Sequence, residues 1–158
     1  MKIVLCGMGN KERGDDGFGS YIVEKIKQTD TVKTLDCQLY PENYLNKILS
    51  FQPDLIIFFD AVKNNGGGSV FLRNEEIVLN APLSVSTHNL PFSSIYRYLK
   101  DSGGADVWFV GVTPHSYDKM SDEIMETAAR IIDLFNMLDK GKKINIIKIY
   151  ETLSTSLR

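Results

Sequence analysis

Histidine, cysteine and any excess of one charge are all scarce in this chain. Among 158 residues there are two histidines and two cysteines. Cys6 sits in one apolar stretch and Cys37 near the end of another. They make no CxxC or finger spacing, so the pair reads as buried reduced thiols of a cytoplasmic protein rather than as metal ligands. Lysine and arginine number 18 against 20 acids, a formal charge of −2. That balance gives no electrostatic ground for nucleic acid or an anionic membrane as partner. No apolar run approaches the ~20 residues of a membrane span, and the N-terminal one is too short for a signal-peptide core. An HExxH helix and a G-x-S-x-G elbow are both missing, which removes local support for the standard zinc-protease and serine-hydrolase chemistries. No internal repeat or low-complexity segment is visible.

What remains is an ordinary globular composition, 43% apolar and 24% charged, at a length that suits one domain with a proper core. The patterning alternates. Residues 2–7 read as a buried strand, followed by an amphipathic helix with Phe18, Ile22, Val23 and Ile26 on one face. Residues 32–39 read as a second strand, and Pro41 starts a helix through Leu45, Ile48 and Leu49. Residues 55–59 form an uninterrupted apolar run of the kind found in a parallel strand covered on both faces. After a flexible turn at 64–68 comes a short strand around 70–72, then an extended stretch at 83–86 running into Thr87-His88-Asn89. Pro91 marks a further helix start, and 107–112 is another buried strand. Ser121-Asp122-Glu123 caps a helix with Ile124, Ala128, Ile131, Ile132 and Phe135 at helical spacing. The expected fold is α/β: a three-layer α/β/α sandwich around a mostly parallel sheet with one short antiparallel strand. The expected division is a single α/β domain over 1–140 and a C-terminal extension over 141–158. That tail is apolar enough to need burial, as an edge strand, a helix or a docking arm.

The most informative segment is Gly7-Met8-Gly9-Asn10-Lys11-Glu12-Arg13-Gly14-Asp15-Asp16-Gly17-Phe18-Gly19. It joins the first strand to the first helix. A glycine-rich turn in that place usually cradles phosphate, because free N–H groups and the helix dipole attract anions. Here Asp15 and Asp16 occupy the anion's position and would repel it. A paired carboxylate at the mouth of the sheet suits a cation instead. Asp15 is expected to cap the first helix, leaving Asp16 to face the cleft.

In such sheets function gathers beyond the carboxyl ends of the strands. Asp60 follows the 55–59 run, and His115 follows the 107–112 strand. His88 lies in a loop long enough to reach the same edge. Asp60 fits equally a turn residue bonded to its own loop and a functional carboxylate, although a charge attached to so apolar a run needs a partner. His88, placed just ahead of a helix N-terminus, is kept neutral and available as a ligand. His115 reads as structural or peripheral, and Arg13 as a solvated loop charge.

The pattern Gly7-x-Gly9-Asn10-x-x-x-Gly14-Asp15-Asp16-Gly17-x-Gly19 resembles the opening signature of the [NiFe]-hydrogenase maturation endopeptidases. The strand end Leu55-Ile56-Ile57-Phe58-Phe59-Asp60-Ala61 and the stretch Ser86-Thr87-His88-Asn89-Leu90 follow in order. The resemblance extends over about residues 1–138. It implies an endopeptidase that removes the C-terminal peptide of a hydrogenase large-subunit precursor after nickel insertion. Carried over position by position, both metal contact and catalysis fall on Asp16, Asp60 and His88. Nickel would arrive with the precursor, the implied partner, and other divalent metals are expected to occupy the site in isolation. One imidazole and two carboxylates leave coordination positions open for ligands on another protein. An unligated aspartate, Asp15 or Asp16, would serve as general base. Where many members of the family carry Gln-Pro, this chain has Thr113-Pro114.

Two rival classes remain. A dinucleotide-binding module would use Gly7 and Gly9 with Asp36 near the place of a ribose-binding acid, but Glu12 fills the slot of the third glycine. A non-catalytic nickel-binding or chaperone protein would use the same trio without cutting the precursor.

Overall fold

In β1 (Ile3–Met8) every residue is buried, and successive side chains leave on opposite faces. Ile3 and Leu5 enter one core; Val4, Cys6 and Met8 enter the other. The same division holds in β3 (Leu55–Ala61), where Leu55, Ile57 and Phe59 go one way and Ile56 and Phe58 the other. It recurs in β5 (Asp106–Val112), with Trp108, Val110 and Val112 opposed to Val107 and Phe109. A strand apolar on both faces must be covered on both, and that requirement produces the three layers. The structure, a computed structural model, describes residues 1–63, 67–80, 90–138 and 144–157.

The first core takes α1 (Phe18–Lys25), α5 (Asp122–Met137) and α6 (Ile146–Ser156); the second takes α2 (Leu45–Ser50), α3 (Glu75–Leu79) and α4 (Phe92–Gly103). With β2 (Val32–Gln38) and β4 (Val70–Arg73), the sheet runs in the order β2-β1-β3-β5-β4. All neighbours are parallel except β4, which pairs antiparallel with β5. The expected α/β sandwich with one short antiparallel strand is what the chain forms. The order 2-1-3 places a topological switch point between β1 and β3, the crevice where open α/β sheets bind their ligands.

Two local features differ from expectation, and the tail takes one of the three forms left open for it. Pro41 opens a 3-10 turn (Pro41–Tyr44) before α2 begins at Leu45. A short helix, α3, follows β4 without a sequence signal: Asn74 takes φ +50, and its side-chain oxygen accepts the Val107 N–H at 3.0 Å. The tail forms a helix: Asn145 caps α6 by accepting the Ile147 N–H at 2.9 Å, and Ile149 and Leu153 are fully buried in the first core. The expected extended stretch at 83–86 and the first three residues of the turn at 64–68 lie outside the described residues.

The glycine-rich segment exists for close approach. A Cβ on Gly19 would stand 2.0 Å from the Phe59 carbonyl oxygen, and one on Gly7 would stand 2.2 Å from the Gly19 carbonyl. The first turn of α1 therefore rests directly on the backbones of β1 and β3, where any side chain would wedge it off. Cys6 and Cys37 are both free and buried. Burial pushes the Cys6 thiol well up, and its contact with Cys37 adds to the rise.

Candidate functional site

Asp60 is the last buried residue of β3. It is 5% exposed, and its Oδ1 accepts the Ala61 N–H at 2.8 Å. Burial pushes its carboxyl up to about 8, against the pull of the Ala61 N–H, and the negative charge of Asp16 adds to the rise. At neutral pH the isolated protein thus holds Asp60 largely protonated. The apolar run 55–59 that makes the strand delivers this carboxyl to a desolvated place.

Asp16 arrives from the other side of the switch point. After β1 the chain passes through Gly9, at φ +124, and forms a 3-10 turn, Gly14–Gly17. Asp16 is half-buried on that turn, and its Oδ2 accepts the Asn10 N–H at 3.2 Å. Gly9 lies between the two acids: a Cβ there would stand 1.8 Å from the Asp16 carbonyl oxygen and 3.7 Å from Asp60 Oδ1. Among the described residues neither carboxylate enters an ion pair. A buried acid whose proton affinity is raised by a second acid, with no cation paired to either among the described residues, makes a fitting place for a divalent metal. No cluster of three metal-ligating side chains occurs among the described residues. His88, the expected third member, lies outside them.

Asp15 does not cap α1, whose N-cap residue, Gly17, has no side-chain bond. The carboxylate instead turns to the loop between β5 and α5. Its Oδ2 accepts the N–H groups of His115 at 2.8 Å and Ser116 at 3.0 Å. Its Oδ1 accepts the Ser121 N–H at 2.7 Å, and the Ser121 hydroxyl bonds to the same carboxylate at 2.8–3.0 Å. Asp15 is 0% exposed. Burial alone would raise its pKa, but the donors from Ser121, His115 and Ser116 outweigh that and hold it below the usual carboxylate range. A carboxylate so engaged is no general base, which removes Asp15 from that role. Ser121 is the N-cap residue of α5, yet its hydroxyl serves Asp15 rather than the helix. This contact network was missed in the sequence because its partners lie 100–106 positions apart.

His115 is about half exposed and its Nε2 lies 3.3 Å from Glu123, a surface pair. Arg13 stacks on Tyr117, 5.0 Å from the ring centre, instead of standing free in solvent. Asp36 accepts the Ser20 hydroxyl at 2.7 Å and the Gln38 N–H at 3.1 Å, and pairs with Lys11 at 3.4 Å. Its Oδ1 is engaged within the protein and its Oδ2 faces Lys11, an arrangement that accounts for Asp36 without a ribose.

With fold and site in place, likeness to known proteins is decisive. The profile of the HycI hydrogenase maturation proteases matches residues 20–138. The chain belongs to the hydrogenase maturation protease family. The crystal structure of the [NiFe] hydrogenase maturation protease HycI from Thermococcus kodakarensis superposes with a TM-score of 0.74 at 35% identity, covering 89% of this chain and 93% of that one. The hydrogenase 3 maturation protease of Escherichia coli K12 is 28% identical over 116 residues, 71% of this chain and 72% of its own. The hydrogenase 2 maturation protease of the same strain is 29% identical over 127 residues, 75% and 76% of the two chains. As a hydrogenase maturation protease the protein is a hydrolase. None of its described helices is long and apolar enough to cross a membrane.

Proposed function

We propose that this hydrolase removes the C-terminal peptide of a [NiFe]-hydrogenase large-subunit precursor once nickel has been inserted, and that Asp16 and Asp60, with His88, contact the nickel the precursor carries. The observation that supports this most is the Asp16–Asp60 pair at the β1–β3 switch point, a desolvated acid and a half-buried one without a neighbouring cation among the described residues.

Nickel held by the precursor would polarise the scissile carbonyl and acidify a water molecule. The protein's part is to bring oxygen ligands to it. Asp60 gives up its proton as the cation approaches, because a metal ligand must be ionised. That coupling ties the favourable contact to the metal: without the cation, Asp60 stays neutral beside Asp16 and offers the precursor no charge–charge attraction. The pair therefore discriminates loaded from unloaded substrate by charge. With Asp15 engaged by the β5–α5 loop, Asp16 is the remaining candidate of the two for general base, a role it would fill in place of nickel contact.

The test is intact-mass analysis of precursor incubated with the protein, with and without nickel in the precursor. Truncation confined to the loaded precursor supports the proposal. Truncation of both removes nickel reading, and co-purification with the loaded precursor without truncation would make the protein a nickel-dependent chaperone.

A further inference from the structure

We propose that Asp15 is a positioning residue, and that the turn at 13–16 and the loop at 113–121 act as one latch that fixes Asp16 relative to Asp60. Its bearing on catalysis rests on the cleavage reading above; the latch itself does not.

Three consecutive residues of the turn grip the same loop. Arg13 stacks on Tyr117. Gly14, at φ +56, meets the loop backbone so closely that a Cβ would stand 2.6 Å from the Ser116 oxygen and 2.9 Å from the Lys119 oxygen. Asp15 donates its N–H to the Ser116 carbonyl at 2.8 Å, while its buried carboxylate gathers the N–H groups of His115, Ser116 and Ser121 and the Ser121 hydroxyl. The next residue is Asp16.

The far end of the loop completes the link. The β1–β3 ladder stops at Gly7–Phe59, short of both acids. Asp60 is instead in register with Gly111 of β5, and β5 leads directly into the loop. From Asp16 the path runs through Asp15 to the loop, back along β5 and across to Asp60. The bracket encloses the site from the side away from β2. All the groups pointing at the carboxylate are donors, so a carboxylate fits and an amide does not: asparagine would turn its own NH2 toward at least one of them.

The test uses Asp15→Asn and Ser121→Ala, the second removing one hydroxyl and leaving every backbone donor in place. Each is measured in two ways: kcat and KM for cleavage of nickel-loaded precursor, and amide hydrogen exchange of residues 14–17 and 115–121. In folded Asp15→Asn we expect kcat to fall about 100-fold with KM changed less than about threefold, and in Ser121→Ala a fall of about tenfold. Exchange should rise in both segments together. A buried aspartate that merely stabilises the fold would lower the melting temperature and leave kcat of the folded enzyme unchanged. Wild-type kcat in either folded variant, or exchange that rises in one segment alone, overturns the latch. Should Asp15→Asn fail to fold, Ser121→Ala decides. Should the wild-type protein leave loaded precursor uncut, the cleavage reading falls, and the paired exchange response still decides whether the latch exists.

Discussion

Asp60 Oδ1 lies 3.7 Å from the point where a Cβ on Gly9 would stand, an ordinary van der Waals contact that sets Gly9 directly beside the Asp60 carboxyl. The same Cβ would fall 1.8 Å from the Asp16 carbonyl oxygen. We expect Gly9→Ala to cost at least about 2 kcal/mol, from a φ of +124 that alanine resists together with the clash. Relief by moving the 3-10 turn would carry Asp16 away from Asp60. Urea unfolding and a cleavage assay should therefore both show loss; an alanine variant with native stability and activity would disprove the close approach.

Asp60 makes stability depend on pH in a definite direction. The unfolded chain ionises this group near 3.8, whereas the folded protein keeps its proton up to about 8. Between those values the unfolded state binds fewer protons, so Asp60 costs stability as pH rises, at about 1.4 kcal/mol per unit, reaching a plateau above the folded value. Asp60→Asn does not titrate, and the cost of its partly unsatisfied amide is the same at both pH values; we expect its stability relative to wild type to rise by roughly 5 kcal/mol from pH 4 to pH 8. Activity should be lost. Denaturant midpoints of the two proteins at both pH values check this.

Asp15 contributes with the opposite sign. Its folded pKa is lowered, so the stability it supplies is present above the unfolded value near 3.8 and is lost as pH falls through the lower folded value. Wild-type protein should accordingly lose more stability than Asp15→Asn on acidification below pH 4. Thermal melts at pH 2–4 would show the two curves converging.

Binding of a divalent cation should release protons. Because Asp60 must ionise to serve as a ligand, affinity for free nickel is expected to rise with pH until about 8 and then level off. Calorimetric titration in two buffers of different ionisation enthalpy counts the protons released. A pH-independent affinity, or no proton release at pH 7, would take Asp60 out of the ligand set.

The tail helix supplies a stability test away from the site. Ile149 and Leu153 of α6 are fully buried, and Tyr150 stacks with Phe71 and lies under Arg73. Leu153→Ala should cost about 3 kcal/mol. A loss below about 1 kcal/mol would mean that α6 is not part of the core.

The sequence made the sheet readable because strands buried on both faces appear as unbroken apolar runs, as at 55–59 and 107–112. Asp60 stands where the sequence places it, at the end of such a run, and Asp16 stands on the glycine-rich turn that joins the first strand to the first helix. Asp15 was misassigned because a helix cap is a local pattern, whereas its actual donors come from a loop a hundred residues on. Helix α3 went unread since five residues are too few to show a period. The tail was ambiguous because Ile144, Ile146, Ile147 and Ile149 satisfy both strand and helix spacing, and burial of Ile149 with Leu153 decides for the helix.

The central claim is that two acids, one of them neutral in the free protein, read nickel on the precursor before the chain is cut. The most direct test is intact-mass analysis of nickel-loaded and nickel-free precursor incubated with wild-type protein and with Asp60→Asn. Cleavage only of the loaded precursor, and only by wild type, is the expected result. Equal cleavage of both precursors, or undiminished cleavage by Asp60→Asn, would contradict it.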